Sequence, residues 1–376
     1  MLVSDAHGGF GGISRHNCDV LDALSAAASV ESVTVLARLV NGSTGPLPPK
    51  VRYELASTRG IAGFVAAGMR QAFAGERYDL IHCGHINLMP VASMIAAIRR
   101  IPISLVIHGV DAWQPPANLT ARRYLSRASL VVSVSELTAG RFRSWSGFGP
   151  DEIVVIPNTV QPGVFSPGPR DSSLVRDLGL EGRTVIMSLG RMSSAERQKG
   201  FDEVIEAMPR LRAARPGIVY LACGDGEDRL RLEAKAAALG VGDAVRFTGL
   251  VPEQRKADYF RTSDAFVMAS TGEGFGIVLL EAMMCGIPVL ASTLDGSREA
   301  VLGGKLGLLA DPRDPDALVA GILAAVDRPK GVPAGIDYFA PERFAGRWVA
   351  AFQRVAGMPV RRRSALRTGG RLHSVR

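Results

Sequence analysis

The stretch "STGEGFGIVLLEAMMCGIPVLAS", residues 270–292, places two glutamates eight positions apart. Glu273 lies among glycines, whereas Glu281 interrupts an otherwise apolar run. The segment reads as one loop–helix–strand unit. "TGEGFG" is a loop and "IVLLEAMM" a helix that ends at Cys285-Gly286, and "IPVLAS" is the next strand. A helix N-terminus behind a glycine loop offers unpaired N–H groups and partial positive charge, which together suit a phosphate. The glycines let a ligand approach the backbone closely. A carboxylate accepts several hydrogen bonds and can grip two sugar hydroxyls at once. The spacing therefore fits a phosphorylated sugar at this helix start, with a carboxylate on each side. On spacing alone, Glu281 reads equally well as a paired structural acid.

Upstream, "SLGRMSSAERQKGFDEVIEAM" sets Arg191 just after a strand and Lys199 just before a helix. Arg191 can clamp a phosphate in bidentate fashion and Lys199 adds a point charge. A departing diphosphate needs such charges as its own negative charge grows. Each residue alone reads as ordinary surface, but beside the 270–292 segment the two read as a site.

The rest of the chain extends this pattern in both directions. Strands such as "SVTVLAR", "YDLIHCG", "PISLVIHG" and "LVVSVS" alternate with helical segments such as "GFVAAGMRQAFAGE" and "LMPVASMIAAIRR". That alternation predicts parallel sheets covered on both faces. "NTVQPGVFSPGPRDSS", rich in proline and glycine, reads as a join, after which the alternation starts again. The expected fold is α/β, with two Rossmann-like doubly wound domains facing a central cleft and the active site between them. The expected organisation is an N-terminal acceptor-side domain (1–160), a linker (161–173) and a nucleotide-sugar domain (174–338). A C-terminal helix (339–358) packs back toward the first domain, and a basic disordered tail (359–376) follows.

Bulk properties exclude several classes. A chain of 376 residues, 47% hydrophobic and 21% charged, folds, and its length suits two domains. Arg361, Arg362, Arg363, Arg367, Arg371 and Arg376 supply six of the net +8, so the basicity belongs to the tail and does not point to nucleic acid. Cys18, Cys83, Cys223 and Cys285 are scattered, without a CxxC, as in a reduced cytoplasmic protein. No signal peptide or membrane-spanning run is read.

The second half resembles the nucleotide-sugar domain of family 4 glycosyltransferases of GT-B fold. The similarity rests on "LGRMSSAERQKGFDEVIEAM", "ACGDGEDRLRLEAKAAALGV", "VRFTGLVPE", "ADYFRTSDAFVMAS", "GEGFGIVLLEAMMCGIPVLAS" and "DGSREAV", spread over about residues 184–311. The resemblance implies retaining transfer of a hexose from a nucleotide diphosphate donor, UDP-hexose or GDP-mannose, with no cofactor and no metal. By that resemblance Glu273 contacts the donor sugar, Glu281 the ribose, and Arg191 and Lys199 the diphosphate. The amides of Gly274, Phe275 and Gly276 touch sugar and phosphates, and Leu250 and Val251 lie near the base. "GDG" at 224–226 belongs to the same pocket or is a tight turn.

"GGFGGISR" resembles the family's N-terminal glycine loop, where Gly11 and Gly12 approach the diphosphate. Here Ser14-Arg15-His16 follow, where the family often carries a Glu. "SLVIHGVDAW" resembles the strand end whose histidine reaches the donor sugar, which assigns His108 a catalytic role and leaves Asp111 to acceptor or donor. The opening strand "MLVSD" is shorter than the family's, so the true start is expected upstream. Asp314-Pro315-Asp316, the only DxD, lies in a proline turn and reads as structural.

The implied reaction is front-side attack by an acceptor hydroxyl, with the departing phosphate taking the proton. The implied acceptor is a glycan or lipid-linked glycan in exopolysaccharide or lipopolysaccharide synthesis. Arg99-Arg100, Arg122-Arg123, the helix "GFVAAGMRQAFAGE" and the tail either touch an anionic membrane or are solvated surface. Two other readings compete. One is a binding protein of the same fold without transferase activity. The other is a dehydrogenase, against which the second strand's ending, "VLARLV", lacks the acidic residue that holds an NAD ribose.

Overall fold

The computed structural model describes residues 1–361; most of the expected basic tail, residues 362–376, lies outside the described residues. The chain forms two compact units, Met1–Thr159 with the chain from Pro341 onward, and Val160–Ala340. Unit one begins β1 (Leu2–Val3), α1 (Gly12–Ala26), β2 (Val33–Ala37), β3 (Val51–Tyr53), α2 (Gly60–Phe73) and β4 (Ile81–Cys83). It continues α3 (Met89–Arg99), β5 (Ile103–Ile107), α4 (Val110–Trp113), α5 (Leu119–Tyr124), β6 (Leu130–Ser133), α6 (Glu136–Ser146) and β7 (Ile153–Val155).

Unit two runs α7 (Ser172–Asp177), β8 (Thr184–Leu189), α8 (Phe201–Ala214), β9 (Ile218–Cys223), α9 (Arg229–Ala238) and β10 (Val245–Phe247). Then follow α10 (Lys256–Thr262), β11 (Ala265–Val267), α11 (Ile277–Met284), β12 (Val289–Ser292), α12 (Ser297–Ala300), β13 (Leu308–Ala310) and α13 (Pro315–Val326). The last helix, α14 (Pro341–Ala356), belongs to unit one.

Both sheets are parallel. Unit one orders its strands β3-β2-β1-β4-β5-β6-β7, and unit two β10-β9-β8-β11-β12-β13. In each, the order reverses beside the first strand, which opens a crevice at the strands' carboxyl ends. In unit one that point lies between β1 and β4, where Leu2 pairs with Cys83; in unit two it lies between β8 and β11, where Ile186 pairs with Ala265.

The β5 and β6 strands read as unbroken apolar or small runs because both of their faces are covered. On one face of unit one, α14 buries Phe344, Trp348 and Phe352, at i, i+4 and i+8, with Val20, Leu21 and Leu24 of α1. On the other, Phe64 of α2, Ile95 of α3 and Phe142 of α6 pack together. Trp348 is fully buried, and truncating such a ring costs about 3–5 kcal/mol.

Two differences from the sequence expectation stand out. β3 was not foreseen: three residues beyond the proline-rich loop are too few to show a period, and pairing with β2 makes the strand. Residues 161–173 are not a free linker but part of unit two. Phe165 is buried with its ring 6.1 Å from that of Phe260, Arg261 donates to the Ser166 carbonyl at 2.8 Å, and Asp171 caps α7. Prolines marked the absence of helix there, not the absence of packing.

Candidate functional site

The loops that carry Arg191, Lys199 and Glu273 follow β8 and β11, on the two sides of the β8–β11 crevice. After β8 the chain passes Gly190 and Arg191, and this loop is locked from two sides. A Cβ at Gly224 would lie 1.8 Å from the Gly190 carbonyl, and one at Gly226 would lie 2.2 Å from that of Met192. "GDG" at 224–226 is thus a close backbone approach that seats the Arg191 loop. Glu227 then accepts from the Ser193 hydroxyl at 2.8 Å and the Ser194 amide at 2.9 Å. Farther along, Gly200 takes φ +87° against the Ala269 carbonyl, and the Thr271 amide donates to Gln198 at 2.9 Å. These contacts bring Lys199 to Glu273, with which it forms an ion pair.

Lys199 is half-buried. Desolvation disfavours its ammonium, but Glu273 outweighs that and holds the pKa above the ordinary lysine value. Arg191 is 76% exposed, pairs with Glu196, and contributes positive potential at Lys199. Lys199 therefore meets the glycine-fronted loop through Glu273, while Arg191 stands in solvent on the loop before it. Gly276, at φ +85°, is the N-cap of α11, and no side chain caps that helix. Gly274 and Gly276 are buried; the Phe275 ring is buried too, against Phe339 at 5.7 Å, so only its backbone is available. Leu250 stands exposed at the loop after β10, beside the half-buried Val251.

Glu281 is 3% exposed, one turn into α11. Its charge is met by Lys256 of α10 at 2.9 Å, whose ammonium is itself held above its ordinary pKa against the penalty of burial. The paired-acid reading is therefore realised in the structure. Lys256 was missed because nothing in "EQRKADYF" separates it from surface lysines.

Asp295 was missed as well, since Asp-Gly reads as a turn. It is fully buried, and its carboxylate accepts from the Ser270 hydroxyl (2.7 Å), the Glu273 amide (2.8 Å) and both the amide and hydroxyl of Ser297 (3.0 and 2.6 Å). The Gly296 amide in turn donates to the Glu273 carbonyl at 2.8 Å. Asp295 thus fixes the backbone that carries Glu273.

In unit one, Gly11 (φ +92°) and Gly12 open α1, both exposed, with no side-chain cap. His108 follows β5. Its Nε2 donates to the Gly84 carbonyl at 3.0 Å, its ring stands edge-on to His16 at 4.9 Å, and burial lowers its pKa to about 4. His16 bonds Asn158 at 2.6 Å through Nδ1, and its pKa is lowered to about 3, chiefly by burial. Asp111 accepts from the His108 amide at 3.2 Å, and burial raises its pKa.

Asp314 caps α13, accepting from the Asp316 and Ala317 amides, and Asp316 pairs with Arg210. Among the described residues no group of His, Cys, Asp and Glu is arranged to hold a metal ion. The four cysteines are free thiols.

Comparison with known proteins agrees with this architecture. Anabaena HepE in complex with UDP and glucose superposes with a TM-score of 0.70 at 23% identity, covering 94% of this chain and 97% of that one. A glycosyltransferase from Rickettsia africae superposes with a TM-score of 0.73 at 16% identity, covering 95% and 98%. The two doubly wound units are those of the GT-B class. The family described as "Glycosyltransferase Family 4" matches residues 10–163, and that described as "Glycosyl transferases group 1" matches residues 174–334.

Among curated relatives, D-inositol 3-phosphate glycosyltransferase 1 of Catenulispora acidiphila is 30% identical over 73% of this chain and 69% of its own. The GDP-mannose-dependent alpha-(1-6)-phosphatidylinositol monomannoside mannosyltransferase of Mycolicibacterium smegmatis is 34% identical over 60% and 61%. The chain belongs to the family 4 glycosyltransferases and is a glycosyl-transferring enzyme.

Proposed function

We propose that the chain is a retaining enzyme that moves a hexose from a nucleotide diphosphate sugar to a hydroxyl of a glycan or lipid-linked glycan. The observation that carries this reading is the Lys199–Glu273 pair in front of the uncapped α11. There a carboxylate for sugar hydroxyls and a cation for phosphate are paired at the loop that leads into a helix N-terminus. Glu273 holds the sugar, and Arg191, Lys199 and the amides of Gly274, Phe275 and Gly276 take the diphosphate. Glu281, oriented by Lys256, takes the ribose, with Leu250 and Val251 near the base. Gly11, Gly12 and His108 of unit one serve the diphosphate and the sugar.

In the reaction, the bond from the anomeric carbon to the phosphate oxygen breaks. The acceptor oxygen bonds to that carbon on the same face, and the acceptor's proton passes to the leaving phosphate. Arg191, Lys199 and the helix terminus stabilise the charge that develops there. UDP-hexose and GDP-mannose both suit this chemistry. UDP accompanies the Anabaena structure, and GDP-mannose is named for the Mycolicibacterium relative.

The reading places the enzyme in polysaccharide synthesis at the inner face of the plasma membrane. Support comes from α2, where Ile61, Val65, Met69 and Phe73 recur every fourth residue and are all exposed beside Arg59 and Arg70. Among the described residues no helix is long and apolar enough to cross a membrane. The test is transfer from UDP-glucose and GDP-mannose, with the anomeric configuration of the new linkage read by NMR. An α-product from an α-donor is expected; an inverted product contradicts the mechanism.

A further inference from the structure

Asp228, the residue before α9, reaches both stretches that carry the phosphate cations. The loop from Arg191 to Lys199 is irregular. Its short turn, Ser194–Lys199, breaks at Glu196, which lies outside helical dihedrals at φ −126°. Helical hydrogen bonds alone therefore do not fix Lys199, and neighbouring elements supply the anchors. The Asp228 amide donates to the Met192 carbonyl at 2.9 Å, next to Arg191. The Asp228 carboxylate accepts from the Arg197 guanidinium at 3.0 and 3.2 Å, two residues before Lys199.

Asp228 is 6% exposed and is itself braced. Arg231 of α9 donates to it at 2.6 and 2.9 Å. The same guanidinium donates at 2.6 and 2.7 Å to Asp202, which lies in the first turn of α8, three residues after Lys199. Lys199 thus sits between two anchors, Arg197 and Asp202, that meet on one arginine–aspartate pair. Hydrogen bonds from Arg231 and then Arg197 hold the Asp228 carboxyl down at about 2, so it is an anion at neutral pH. Lys235 pairs with Asp202 and Glu206 in the same cluster. Arg197, Arg231 and Lys235 face Asp228, Asp202 and Glu206 charge for charge, so the cluster brings little net potential to an anion. Its effect on a bound diphosphate is one of position. A lysine ammonium rides on a flexible four-carbon stem, and misplacing such a group by about 1 Å can cost about 10²-fold.

We propose that Asp228 is a positioning residue for the donor diphosphate, holding Arg191 through the Met192 carbonyl and Lys199 through Arg197. The inference rests on the donor reading above, in which Arg191 and Lys199 take the diphosphate.

The test is a double-substitution cycle on the full chain, with dissociation constants for UDP and GDP measured by titration calorimetry. Asp228→Asn and Arg197→Gln should each weaken binding of the preferred nucleotide about tenfold. Lys199→Ala combined with Arg197→Gln should bind no more weakly than Lys199→Ala alone, because the lysine that Arg197 holds is already gone. The Arg197 side chain is 54% exposed, so Arg197→Gln should leave the urea midpoint at the wild-type value, and it carries the test if Asp228→Asn loses its fold.

Unchanged affinity in Arg197→Gln overturns the inference. An additive loss in the double variant overturns it too, because Arg197 would then meet the ligand itself or act through a general loosening of the unit. A wild type that binds neither UDP nor GDP, or a Lys199→Ala variant that binds as well as the wild type, would instead overturn the donor reading.

Discussion

The crevices of the two units share a topology and differ in chemistry. In unit two the strand ends present charge: Lys199 against Glu273, Lys256 against Glu281, Arg191 in solvent and Asp295 beneath. Unit one instead buries imidazoles, only His108 of which stands at a strand end. His16, His82 and His108 all have pKa values lowered by burial, and Trp348 packs on His16 and His82. The doubly wound sheet fixes where a ligand sits, and the loops and helix starts fix what it can be. Charged pairs suit a diphosphate and its sugar.

Four perturbations probe this contrast. The largest effect is expected from Glu273→Ala, which should lower transfer about 10³-fold while leaving nucleotide binding largely intact. Equal turnover in that variant, measured with saturating donor, would remove Glu273 from the mechanism. Next, Lys256→Met removes the ion pair of the buried Glu281 and should destabilise the fold by about 3 kcal/mol, read from urea unfolding by circular dichroism. A midpoint unchanged from wild type would mean that Glu281 does not depend on Lys256.

The third perturbation is acid, and it concerns unit one. Trp113, Trp145 and Trp348 are the chain's three tryptophans and all lie in that unit, so their fluorescence reports on it. His108 has a folded pKa of about 4 against an ordinary value of 6.5, and His16 one of about 3. Below pH 6.5 the unfolded chain binds protons that the folded chain refuses. Stability should therefore be at its plateau above pH 6.5 and fall as the pH drops toward 4. His108 alone accounts for roughly 3 kcal/mol of that loss. Flat stability across this window would show that the histidines titrate freely. The smallest effect is expected from Phe73→Ser on α2, which should weaken binding to anionic vesicles about tenfold without altering nucleotide binding.

Legibility followed the same divide. The parallel α/β units could be read because β5, β6 and β8 are continuous apolar or small runs between helix-length segments. Arg191, Lys199 and Glu273 could be singled out as candidates because each lies between elements and beside glycine. Lys256 and Asp295 could not be. Each acts through a partner distant in sequence, 25 residues away for Lys256 with Glu281 and for the Asp295–Ser270 hydrogen bond, so no local pattern marks it. β3 was too short for a period. The packing of 161–173 was hidden because proline and glycine signal an irregular backbone, and irregular backbone can still bury a phenylalanine. The cavity after β4 and β5 was out of reach for a further reason. Asn87, Gln114 and Asn118 are ordinary loop residues until the carboxyl ends of β4 and β5 bring them together.

Binding of a nucleoside diphosphate at the β8–β11 crevice is tested by thermal unfolding with UDP, GDP, ADP and NAD. It should be run on the wild type and on Arg191→Ala and Lys199→Ala. A ligand at about 100 times its dissociation constant adds about 2.7 kcal/mol of stability. UDP or GDP should stabilise the wild type by that order, and both variants should lose most of the shift at the same concentration. A shift with NAD alone, or a nucleotide shift that survives both substitutions, would contradict the account.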